Sequence, residues 1–149
     1  MAMLCRRSIL VAALIVVSPL RAQNVTLRPA KRVAIRGYDP VAYFTDSRAT
    51  KGSPEFAADF DDVTYWFVNV AHRDTFLADP DRYAPQFGGL CAIMVSQGQS
   101  VDPDPEAWAI ADGKLYLFRA KEGVPVFKER TASIVEKAAD QWRSLHQKN

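Results

Sequence analysis

The sequence predicts an α+β fold: a small antiparallel sheet of two hairpins packed with short helices and a C-terminal amphipathic helix. Three observations lead there. Phe56, Ala58 and Phe60 alternate with polar or small residues up to Asp61-Asp62, and an apolar run resumes at Val63. A second pair of apolar runs, 108–110 and 115–118, flanks Asp112-Gly113. That turn is a strong hairpin signal because both residues tolerate positive φ. Finally, Phe127, Thr131, Ile134, Ala138, Trp142 and Leu145 recur at three- and four-residue spacing, the stripe of a helix laid on a sheet.

Residues 1–22 read as an export signal rather than as fold. Arg6 and Arg7 form a charged start, residues 8–20 are an apolar run, and Leu20-Arg21-Ala22 places a small residue at the cleavage point. The run spans roughly 13 residues, short of the ~20 a membrane helix needs. Cys5 precedes the apolar run, so it is not placed to become a lipid-modified N-terminus. Arg6-Arg7-Ser8 also fits a twin-arginine signal, which exports folded proteins. The expected location is therefore periplasmic or secreted, with no stable membrane anchor.

Cleavage removes 22 of the 149 residues and leaves one domain's length. Arg6, Arg7 and Arg21 leave with the signal, so Lys plus Arg falls from 19 to 16 against 17 Asp plus Glu. The basic character of the full chain thus belongs to its signal. No basic run interleaved with aromatics remains, which argues against nucleic acid. Cys91 is then the lone cysteine and has no intramolecular disulfide partner.

Each element follows in order. Residues 23–32 read as a flexible segment ahead of a domain over 33–147. Residues 33–35 read as a short strand. Asp39 can cap the amides after it, and Pro40 suits the first turn of a short helix through Tyr43. A loop at 51–54 leads into the first hairpin. Asn69 caps a helix whose Val70, Phe76 and Leu77 are expected to face the sheet, with Arg73, Asp74 and Asp79 outward. Asp79-Pro80 ends it, and Tyr83 and Phe87 anchor a second short turn. Gly88-Gly89 permits a tight bend or close backbone approach. Residues 90–95 are apolar on every face, so they are buried, but periodicity does not separate helix from strand. A loop at 102–105 enters the second hairpin. Beyond the two hairpins the sequence shows no internal repeat.

Several stretches resemble the exported bacterial branch of the YHS domain family. They are residues 33–44 (VAIRGYDPVAYF), residues 65–83 (YWFVNVAHRDTFLADPDRY), Gly88-Gly89-Leu90-Cys91-Ala92, and Val95-Ser96-Gln97-Gly98. With the second hairpin the likeness covers residues 33–118. The resemblance implies a small module linked to metal binding. In metal-binding members, cysteines follow the Asp-Pro-Val motif, follow the aromatic strand and lie in the next helix. Ala42, Val68 and His72 stand at those places here, so His72 alone keeps a ligand position.

Cys91 and Met94 are three apart, which places two sulfurs on one face if the segment is helical. With a histidine such as His72 they would suit copper or another soft metal ion. Core packing explains the same pair, since free cysteine and methionine are common interior residues. Cys91 as nucleophile with His72 as base is the catalytic alternative. It lacks an orienting third residue, and the apolar flanks of Cys91 do not offer the electropositive setting a reactive thiolate needs. The aspartates stand at turns and caps, where they bond nearby amides. Tyr38, Tyr43, Trp66, Tyr83, Phe87 and Trp108 either fill the core or line a pocket for a planar ligand.

These readings combine into one expectation. The chain is a non-catalytic binding module for a small ligand or soft metal, held in an aromatic cleft between residues 37–43 and 88–94. Tyr38, Asp39, Tyr43, Gly88 and Gly89 are the expected ligand contacts, and His72, Cys91 and Met94 the expected metal contacts. A structural or protein-interaction domain without ligand is the alternative, and a thiol enzyme is the least favoured.

Overall fold

The computed structural model describes residues 30–146; the expected export signal, most of the expected flexible segment and residues 147–149 lie outside the described residues. The fold is α+β. Strands β1 (Arg32–Val33), β2 (Ser53–Phe60) and β3 (Val63–Phe67) form one sheet in the order β1-β3-β2. β2 and β3 are antiparallel, whereas β1 joins β3 in parallel, pairing Arg32 with Val63. Strands β4 (Asp104–Ala111) and β5 (Lys114–Phe118) form a separate antiparallel ribbon. Both hairpins close as expected: Asp61 and Asp62 have φ of 47° and 60°, Asp112 and Gly113 have 51° and 71°. Left-handed backbone at both turn positions matches the twist of the flanking strands.

Six helices complete the described chain: α1 (Ala42–Thr45), α2 (Val70–Ala78), α3 (Pro80–Tyr83), α4 (Ala92–Ser96), α5 (Gly123–Glu129) and α6 (Thr131–His146). No helix among the described residues is long and apolar enough to cross a membrane.

The structure contains a repeat that the sequence does not advertise. Twice the chain runs through a left-handed turn, a short helix, a hairpin and a further helix. The first turn holds Ile35, Arg36 and Gly37 at φ of 50°, 51° and 80°; the second holds Phe87, Gly88 and Gly89 at 56°, 58° and 75°. In each hairpin the register slips once, between Ser53 and Ala57 and between Asp104 and Trp108. A Pro-Glu pair falls inside each slip, where proline has no N–H for the ladder. The aromatic cores match as well. Phe76 lies 5.0 Å from Tyr65 and 5.1 Å from Phe67, ring to ring. Phe127 lies 4.8 Å from Tyr116 and 5.0 Å from Phe118. The repeat escapes the eye because few side chains outside Pro-Glu and the Tyr-x-Phe strand are shared.

The β4–β5 ribbon divides the interior in two. Leu115 and Leu117 face a core with Ile35, Tyr43, Tyr65 and Phe76, while Tyr116 and Phe118 face one with Cys91, Val95, Phe127 and Ile134. The side-chain alternation of a strand thus supplies one wall to each core. The two left-handed turns touch: a Cβ on Gly89 would sit 3.3 Å from Ile35 Cγ1. Left-handed backbone costs about 1–2 kcal/mol at a non-glycine residue, and more for a β-branched one such as Ile35. Complete burial of the Ile35 side chain offsets that cost.

Other expectations are corrected. The strand expected at 33–35 is shorter, because Ala34–Gly37 turns left-handed at once. Only Phe76 of α2 is buried; Val70 and Leu77 are about half exposed, since the three-ring cluster needs only one side chain from the helix. The C-terminal helix is two helices, α5 and α6, because Arg130 leaves helical backbone. That break lets Phe127 complete its aromatic cluster while Ile134 and Ala138 face the same core. Asp104 and Pro105 begin β4 rather than ending a loop. Residues 90–95 resolve into an isolated bridge at Cys91 followed by α4.

Candidate functional site

Asp39 is completely buried, and the reason lies in its partners. Its Oδ1 accepts from the N–H of Val41 at 2.8 Å and of Ala42 at 3.3 Å, capping α1. Its Oδ2 accepts from the Val68 N–H at 2.9 Å and meets His72 Nδ1 at 2.7 Å. The Asp39 N–H itself donates to the Thr50 carbonyl. One carboxylate therefore ties together the start of α1, the end of β3 and the first turn of α2. Burial of a carboxylate is tolerated where its oxygens are this fully hydrogen-bonded. Asn69 sets the histidine: its Oδ1 accepts from the His72 N–H at 2.8 Å.

With a carboxylate on Nδ1, that nitrogen is the donor and Nε2 remains for another partner. The His72 side chain keeps 18% of its surface. Tyr43 lies close by, buried, with its hydroxyl donating to the Pro105 carbonyl at 2.9 Å. Burial, assisted by the negative charge of Glu106, holds its phenol well above the usual tyrosine range. Tyr38 is half-buried, with the Lys51 ammonium 5.0 Å from its ring.

An oriented histidine on a carboxylate is half of a nucleophile-activating set, and also the outer half of many metal sites. The rest does not assemble. Cys91 is 2% exposed within the second core, where Met94 also packs. Its N–H donates to Val101 and its backbone bridges to Leu117. Among the described residues, no group of three His, Cys, Asp or Glu side chains is arranged to hold a metal. Of the expected metal set, Cys91 and Met94 thus lie at the second core, whereas His72 is held on Asp39 at the part-exposed start of α2.

Of the two walls of the expected cleft, 37–43 and 88–94, the second sends Gly89 against Ala34 and Ile35, just ahead of the first. A large concavity lies elsewhere. It is an open groove of about 1090 Å³ between the first hairpin, the second left-handed turn and α6. Of the sequence candidates, only Gly88 and Phe87 line it. The absence of a Gly88 side chain lets the Trp142 indole and the Arg32 guanidinium come close; a Cβ there would be 3.1 and 3.3 Å from them. Arg32 also donates to the Gly88 carbonyl and pairs loosely with Asp102 at 3.4 Å. Phe87 and Trp142 meet edge to face at 6.1 Å.

Tyr65 is the groove residue that sequence reasoning missed. It is 1% exposed and lines the groove. Its hydroxyl has no hydrogen-bond partner among the described residues. The only fully enclosed, unpartnered side-chain oxygen or nitrogen among them is Thr50 Oγ1, so the small surface of Tyr65 includes its oxygen. Burial pushes its phenol up to about 12, with Arg32 opposing and Asp61 assisting. In the sequence Tyr65 is merely one of three consecutive aromatics in an inward-facing strand, and nothing there marks its tip. No family model, curated protein or solved structure matches this chain.

Proposed function

We propose that this chain is an exported, non-catalytic binding module of YHS type that holds a small organic ligand in the groove beneath Tyr65 and Trp142. The observation that carries this reading is the Tyr65 hydroxyl. A phenol buried to that degree normally finds a partner, and this one lines an open groove of about 1090 Å³ beside two further aromatic rings. A few convergent polar groups within an apolar lining are what ligand sites share. Location in the periplasm or outside the cell rests on the charged start and apolar run of residues 1–22. A copper-like soft ion is the less supported form of the module, because Cys91 and Met94 pack in the second core while His72 is held by Asp39 at the start of α2.

The second reading is a structural or interaction domain without ligand. It is favoured by Asp39, whose bonds are all spent on holding the fold together. Native mass spectrometry and metal analysis of protein purified from the periplasm separate the readings. The binding module carries a small organic adduct that Tyr65→Phe weakens. Adduct-free protein, with no stabilisation by small-molecule extracts, sinks it; metal well below one equivalent removes the soft-ion form.

A further inference from the structure

The charges around the groove say what kind of ligand fits it. This step rests on the groove being a binding site. Arg32 is engaged by the Gly88 carbonyl and Asp102, and Arg143 pairs with Asp140 on its own helix. Those pairs leave Asp61, Asp62 and Asp81 against Lys114 among the charged groups of the lining. The remaining charge is negative, and it lies beside the part-exposed rings of Phe60 and Trp142. Aromatic faces attract cations, most strongly where water is partly excluded. The Tyr65 oxygen, unpartnered and facing the same space, adds an acceptor.

We infer that the groove takes an organic cation, an amine or quaternary ammonium with a small apolar body. The aromatic faces receive the apolar and cationic surface, and Asp61 and Asp62 at the hairpin turn supply the long-range attraction. Both aspartates sit at positive φ on exposed backbone. Asparagine favours that conformation too, so Asp61→Asn with Asp62→Asn removes charge without reshaping the turn.

The test follows the Trp142 indole signal by NMR during titration with three probes: choline, its neutral carbon isostere dimethylbutanol, and phenylacetate. Choline is expected to shift that signal and bind about tenfold tighter than dimethylbutanol. The double Asp→Asn variant, shown folded by its unchanged melting temperature, is expected to lose most of that preference. Equal affinity for choline and dimethylbutanol, or stronger binding of phenylacetate, overturns the cation assignment while leaving a ligand groove. Silence of the Trp142 signal with all three overturns the assignment and the groove reading together.

Discussion

Cys91 occupies in the second half of the fold the position that Asp39 occupies in the first. Each follows a left-handed turn, precedes a short helix, and donates its N–H at 2.9 Å to the backbone carbonyl of a residue ahead of the next strand, Thr50 or Val101. The chemistry then diverges. Asp39 caps its helix and reaches His72, whereas Cys91 makes no side-chain cap and packs among apolar neighbours. One scaffold has thus been given a polar tie in one half and an apolar plug in the other.

Asp39→Ala is expected to destabilise the protein by about 3 kcal/mol, because several buried donors lose their acceptor together. Asp39→Asn should cost somewhat less, since one oxygen can still cap α1 while the amide group opposes the Val68 N–H. His72→Gln should cost only about 1 kcal/mol, its partner keeping three amides. Urea unfolding of the three variants orders them; equal losses for all would show that His72, not the amide set, holds Asp39.

Phe76→Ala and Phe127→Ala are expected to cost similar amounts, about 3–5 kcal/mol each, because each ring is central to an equivalent buried aromatic cluster. A gap of more than about 2 kcal/mol between them in denaturant melts would mean that the two clusters are alike in shape only.

Arg36 holds φ of 51° with an exposed side chain, so its backbone gains nothing from burial. Arg36→Gly should therefore stabilise the protein by about 0.5–1 kcal/mol. Gly37→Ala should do the reverse: its φ is 80°, and the new Cβ would fall 2.5 Å from the Trp66 ring. Thermal melts of the two variants should move in opposite directions.

Alkaline stability should report Tyr65. Its folded phenol titrates near 12 rather than near the ordinary 10.0. Between those values the folded state keeps a proton that the unfolded chain has released. Stability is thus full below about pH 10 and falls as pH rises towards 12, by about 1.4 kcal/mol per pH unit for such a tyrosine. Tyr43, raised further, prolongs the decline. Tyr65→Phe should flatten the slope in this window, as read by unfolding free energy against pH.

Cys91 should resist alkylation in the folded protein and react on unfolding. Cys91→Ser should cost about 1–3 kcal/mol through a buried hydroxyl without a partner, and Cys91→Ala less. Rapid labelling of the native thiol by iodoacetamide would contradict its place in the core.

Much of the fold was legible because its signals are local. Asp61-Asp62 and Asp112-Gly113 announce their turns through residues that accept left-handed backbone, and Asn69 and Asp39 announce caps through short polar side chains. The left-handed turn at Ile35 was hidden for the opposite reason: a β-branched residue there contradicts local preference and is held by packing against Gly89. The meeting of Asp39 with His72 was half legible, since both residues stood out but their contact depends on how α2 docks. Tyr65 and Trp142 were unreadable as a pair, because the groove joins a hairpin to a helix far along the chain.

The dividing ribbon carries one last implication. Leu115 and Leu117 come from the later half yet floor the earlier core. A fragment ending after α2 would lack that floor, and one starting at the second left-handed turn would leave those leucines uncovered. Neither piece should be autonomous, although the two mixed together could reconstitute the whole.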